Sequence, residues 1–187
     1  MKIYIENNAL FYPEIKYIFS VFCINKGIQY VLVNSKSEAD LIISDHEESD
    51  IRISKEFYIK LQQRKFDHSH HFIKQCLLID STGYIDYLSS AFYILTAIQE
   101  IDSEEVDEFG RYKYVSSFQY KFGNVKENIV QNIFNELMNS VEKLNKSPKK
   151  KSSSKIFLSH DVDCVYGSVV QDSFYNVKKS SLNFLTL

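Results

Sequence analysis

The sequence predicts an α/β protein in two parts: a small, three-layer-like α/β domain over residues 1–145, and from residue 156 the opening strand, with part of a helix, of a second domain. Three observations predict it. Short apolar or alternating runs interleave with a segment of helical periodicity in the first half. A long amphipathic stretch follows around residue 130. Residues 146–155 then change abruptly to Lys and Ser, a composition with nothing to bury, which reads as a solvated linker. A chain of 187 residues that is 44% hydrophobic, with 14 Phe and 13 Tyr, has the apolar area for one real core, so order is expected.

Each element has its own signal. Residues 2–6 alternate like a short strand. Pro13 then suits a first helical turn, Ile15, Ile18, Phe19 and Phe22 recur at spacings of three and four, and Gly27 supplies a stop, which predicts a helix of about four turns. Residues 28–33 and 40–44 read as strands and residues 51–53 as a weaker one. After a polar interval at residues 64–71, the run from Cys76 to Ile79 ends at Asp80-Ser81-Thr82-Gly83, a turn. Ile85, Leu88, Phe92, Leu95 and Ile98 then mark one helical face, widened by Ala91 and Ile94, and a turn is expected at Gly110. Val125, Ile129, Ile133, Leu137 and Val141 recur every four residues and predict a helix of about five turns over residues 125–144. In the tail, Val169, Phe174, Val177, Leu182 and Leu185 are apolar positions that need a partner surface.

Charge and cysteine usage narrow the function classes. With 22 basic and 24 acidic residues the net charge is −2, so no global field favours nucleic acid or an anionic membrane. Cys23, Cys76 and Cys164 are odd in number and show no paired spacing, which argues for reduced thiols and against sulfur ligation of a metal. The first residues turn polar after five positions and build no signal-peptide core, and no run reaches the length of a membrane span. A soluble, unexported, cytoplasmic chain is expected.

The most chemically suggestive residues are Ser159-His160-Asp161-Val162-Asp163, which follow the apolar run Ile156-Phe157-Leu158. A strand places Asp161 and Asp163 on one face, where one carboxylate can bind a divalent ion while the other activates a water. The alternative is a strand that runs into a polar loop. His68, His70 and His71 offer imidazole ligands, but their spacing fits neither a helical i, i+4 pair nor a zinc signature, and a solvated loop serves equally. His46 reads as isolated, structural or exposed. The lysines Lys146, Lys149, Lys150, Lys151 and Lys155 could grip phosphates or form a tether; no aromatic is interleaved among them for stacking. No G-x-S-x-G occurs, and 5 Gly in the whole chain leave no glycine-rich phosphate loop.

Asp86 at a helix start, Ala91-Phe92-Tyr93-Ile94-Leu95, Glu100, the Asp107-x-x-Gly110-Arg111 turn, a long helix, a linker and then Ser159-His160-Asp161-Val162-Asp163 together resemble the bacterial polysaccharide deacetylase family, in proteins that carry an extra α/β region before the (β/α) barrel. The resemblance covers most of the chain and is most specific from Asp86 onward. It implies metal-dependent removal of N- or O-acetyl groups from carbohydrate. Asp161 would be the base that deprotonates the attacking water, and Asp163 a ligand of a zinc-like divalent metal. The family completes its metal site with two His spaced four apart, and adds an Arg and a late His. This chain has no H-x-x-x-H, so the resemblance implies a truncated barrel, an incomplete active site, and a chain that alone binds no metal and is inactive. The other reading is a non-catalytic interaction module for a protein or glycan partner, with no nucleic acid or membrane role.

Overall fold

A computed structural model describes residues 1–63, 77–101 and 103–146 in full, and the backbone of residues 72 and 73. All lie within one compact unit, Met1–Ser152. Strands β1 (Lys2–Ile5), β2 (Val31–Leu32), β3 (Leu41–Ser44) and β4 (Ile51–Arg52) form a parallel sheet in the order β2-β1-β3-β4. Ile3 pairs with Leu32 on one side and with Leu41 on the other, and Ile43 pairs with Ile51. Ile3, Ile5, Leu41 and Ile43 are buried, whereas the alternate residues Tyr4 and Ile42 are only half-buried, so one sheet face carries the core.

Helix α1 (Tyr12–Lys26) links β1 to β2 and buries Ile15, Ile18, Phe19, Phe22 and Cys23, the stripe that the spacing predicts. It ends as the glycine predicts. Gly27 takes φ 67°, its N–H donates to the Ile24 carbonyl at 3.3 Å, and the N–H of Ile28 donates to the Cys23 carbonyl at 2.8 Å. These two bonds satisfy carbonyls that the helix end would otherwise leave open.

Two parallel neighbours usually need a crossover of a dozen residues or more, yet residues 45–50 suffice between β3 and β4. β4 is only two residues long, so the chain travels back a short way. The loop is pinned as it returns, with Asp50 Oδ2 accepting the Ile42 N–H at 2.8 Å and Asp50 Oδ1 2.8 Å from Lys143 Nζ. Helix α2 (Lys55–Gln62) follows and buries Phe57 and Tyr58.

A second sheet is antiparallel: β5 (Phe72–Ile73), β6 (Leu77–Ile79) and β7 (Ile85–Asp86), in that order. The sequence reading places the turn at Asp80 to Gly83 correctly, but assigns Ile85 to the helix. Ile85 instead pairs with Ile79, and helix α3 (Tyr87–Leu95) begins two residues later. α3 packs against α1, α5 and β6. Being surrounded, it buries Leu88, Ser89, Ser90, Ala91 and Tyr93, an arc wider than the expected stripe, while Leu95 is 43% exposed.

The last elements among the described residues are α4 (Phe118–Lys121), α5 (Ile129–Ser140) and α6 (Glu142–Asn145). The five-turn helix expected over residues 125–144 is thus shorter and interrupted. Val125 is exposed, Asn128 caps the start by accepting the Gln131 N–H, and Val141 takes extended angles that end α5. Phe22 and Phe134 meet edge to face, with ring centroids 5.3 Å apart, and join α1 to α5. No helix among the described residues is long and apolar enough to cross a membrane.

Candidate functional site

In the parallel sheet the chain leaves β1 toward β2 on one side and comes back to β3 on the other. The crevice beyond the carboxyl ends of β1 and β3 is where open α/β sheets hold ligands. Two acids stand there. Glu6 follows Ile5, Asp45 follows Ser44, and parallel pairing brings them side by side, with the Glu6 N–H donating to the Ile43 carbonyl at 2.9 Å. His46 Nε2 lies 3.4 Å from Glu6 Oε1 and 3.9 Å from Asp45 Oδ1. Lys55, at the first turn of α2, places Nζ 3.3 Å from Asp45 Oδ2. The Asp45 side chain is 12% exposed and that of His46 62%.

Burial opposes the charge of Asp45. Hydrogen bonding to Glu6 and to the Lys55 ammonium, with the nearby charges of Lys55 and His46, outweighs it and holds the carboxyl below its ordinary value. One donor atom from each of Glu6, Asp45 and His46 falls within a 4.8 Å cluster. Two carboxylates and an imidazole form an oxygen and nitrogen set of the kind that divalent ions take. Lys55 already supplies Asp45 with positive charge at Oδ2, and His46 lies on the side of Oδ1. As it stands, the arrangement is a polar cluster at the sheet's open edge in which Asp45 is paired with Lys55.

The sequence reading of His46 as isolated is therefore corrected. Its partners, Glu6 and Asp45, were missed as a pair because their proximity depends on strand order. The available signal was an acid directly after each of two apolar runs, Ile3-Tyr4-Ile5 and Leu41-Ile42-Ile43-Ser44.

Other acids hold the frame. Asp86 is fully buried; its Oδ2 accepts the Ser54 N–H at 2.6 Å and its Oδ1 the Ser89 N–H at 2.9 Å, which caps α3. Burial pushes its carboxyl up to about 6. The serines beside it are used as well. Ser89 Oγ lies 2.9 Å from the Tyr58 hydroxyl, and Ser90 Oγ accepts the Leu78 N–H at 2.8 Å. Asp80 pairs with Arg52 at 2.7 Å, and the Arg52 guanidinium lies over the Tyr84 ring at 5.0 Å, joining the hairpin to β4. Burial works against the Asp80 charge, but hydrogen bonds from Thr82 and Tyr84 and the charge of Arg52 hold its carboxyl below the ordinary value. In the expected Asp107-x-x-Gly110-Arg111 turn, Asp107 Oδ1 accepts the Phe109 and Arg111 N–H groups, Oδ2 accepts Arg111 Nε–H, and Gly110 takes φ 75°. It is a self-capped surface turn.

Asp161 and Asp163 lie outside the described residues, as do His68, His70, His71 and most of the lysine run. Asp163 is one carboxylate where a catalytic zinc takes three protein ligands, and the chain has no H-x-x-x-H to add two more. The donors of this chain alone do not fit that centre.

A family model described as "Family of unknown function (DUF7033)" matches residues 1–146. No curated protein and no solved structure matches the chain.

Proposed function

The chain belongs to the family of unknown function DUF7033, and on that premise we propose that residues 1–146 are the accessory domain of a polysaccharide deacetylase-like protein. In this reading the domain is three-layer-like, and the run Ile156-Phe157-Leu158 opens the (β/α) barrel. Asp161 acts as the base toward water and Asp163 is one ligand of the zinc-like metal. In this reading the rest of the metal's ligands are supplied by residues other than this pair. Acetylated carbohydrate is the substrate, and the free thiol of Cys23 fits a cytoplasmic protein; Cys23 is buried, and burial pushes its thiol up to about 12, far from a nucleophile's range.

One observation carries the proposal. The family match ends at residue 146, the last helix among the described residues ends at Asn145, and the paired aspartates come only after the Lys- and Ser-rich stretch beyond. The buried or bonded acids Asp80, Asp86 and Asp107 are committed to caps and turns, which supports a scaffold role for the first part. The protein purified from its natural source should release acetate from an N-acetylated chito-oligosaccharide. Chelation should abolish the release and added zinc restore it. Release that survives full chelation, or none under any condition, contradicts the reading.

A second reading, a stand-alone interaction module for a protein or glycan, is favoured by the exposed aromatic residues Phe109, Tyr114, Tyr120 and Phe122.

A further inference from the structure

Between α3 and α4 the chain takes a long route whose described residues form only two 3-10 turns, Ile98–Glu100 and Tyr114–Ser116, with no strand or α-helix. Loops of more than about 12 to 15 residues are uncommon unless they serve a function. This one is ordered by its own bonds: Val106 bridges to Tyr112, the Lys113 N–H donates to the Glu105 carbonyl at 2.9 Å, and the Tyr112 hydroxyl donates to the Ser116 carbonyl at 2.9 Å. It is also rich in exposed apolar side chains. Phe109 is 72% exposed with the Arg111 guanidinium 4.8 Å from its ring centroid, and Tyr114 and Tyr120 meet edge to face at 5.3 Å.

Within this segment lies an open groove of about 410 Å³, lined among others by Ile101, Ser103, Glu105, Tyr112, Val115 and Ser116. That volume is in the range of small-ligand sites. Its polar groups are held in place before any ligand arrives. Ser116 Oγ donates to Glu105 Oε2 at 3.2 Å, and Ser103 Oγ accepts the Glu105 N–H at 3.1 Å while keeping a hydroxyl proton to give.

We infer that this groove binds a segment of uncharged polysaccharide, one to two sugar rings in the groove with the chain running over the neighbouring aromatic residues. A pyranose ring offers an apolar C–H face and a rim of hydroxyls. It calls for an apolar wall beside fixed hydrogen-bonding groups, which Ile101, Val115 and Tyr112 provide together with Ser103, Glu105 and Ser116. A phosphate ligand fits poorly, because Lys121, the one cation among the described lining residues, lies over the Phe118 ring at 5.8 Å and Glu105 faces the same space. The choice of an acetylated glycan as ligand rests on the proposed function; the groove itself does not.

The test uses the full chain and N-acetylchitohexaose, followed by saturation-transfer NMR and tyrosine fluorescence. Saturable binding is expected. Glu105→Gln and Val115→Lys, both at exposed positions, should each weaken it about tenfold with unchanged circular dichroism. No saturable binding, or full affinity in both variants, overturns the inference. Binding that is lost in the variants, in a native protein that releases no acetate, sustains the groove and overturns only the deacetylase reading. Acetate release with groove-independent binding does the reverse.

Discussion

Asp86 ties the residues behind β4 to the first turn of α3 through amide protons of Ser54 and Ser89, and it does so from a fully buried position. Its folded-state pKa, about 6, lies above the ordinary value of 3.8. The folded protein therefore holds that proton more tightly than the unfolded chain. The resulting stability is complete below about pH 4 and is lost as pH rises through about 6, an effect of about 3 kcal/mol. Asp45, Glu56, Asp80 and Asp107 are shifted downward instead, and their contribution is lost only at more acidic pH. Urea midpoints at pH 4.5 and pH 7 should thus fall with rising pH in the wild type, and Asp86→Asn should remove most of that slope. An equal slope in both proteins contradicts the assignment. That an acid starts α3 was legible in the sequence. Its Ser54 partner lies 32 residues away and was not.

Among the elements, α1 was the most legible, because one side of it meets the core and the other meets solvent, so spacing and burial coincide. Its end depends on a backbone conformation that only glycine takes without strain. Gly27→Ala should cost about 1 kcal/mol and lower the midpoint of thermal unfolding by about 3 °C; an unchanged or raised midpoint contradicts the role of the left-handed turn. α3 was less legible, since neighbours on several sides hide a one-sided pattern and its buried serines are kept for hydrogen bonds to Tyr58 and β6. The periodicity of residues 125–144 overran the real helix. Apolar spacing does not register that Asn128 caps the backbone or that Val141 leaves helical angles.

At the scale of the whole molecule, strand order decides which distant residues meet. The alternation of strands and helices was enough to predict an α/β layer, but the order β2-β1-β3-β4 was not written in any local pattern. For that reason Glu6, Asp45, His46 and Lys55 surfaced only in three dimensions. The paired aspartates are the opposite case, local in sequence and outside the described residues. The central claim is that chemistry resides in that pair and that the first 146 residues serve it. Its most direct measurement is the rate of acetate release by the protein from its natural source, compared with the same protein carrying Asp161→Asn. The account predicts a loss of about 10²- to 10⁴-fold with unchanged helix content; an undiminished rate would contradict it.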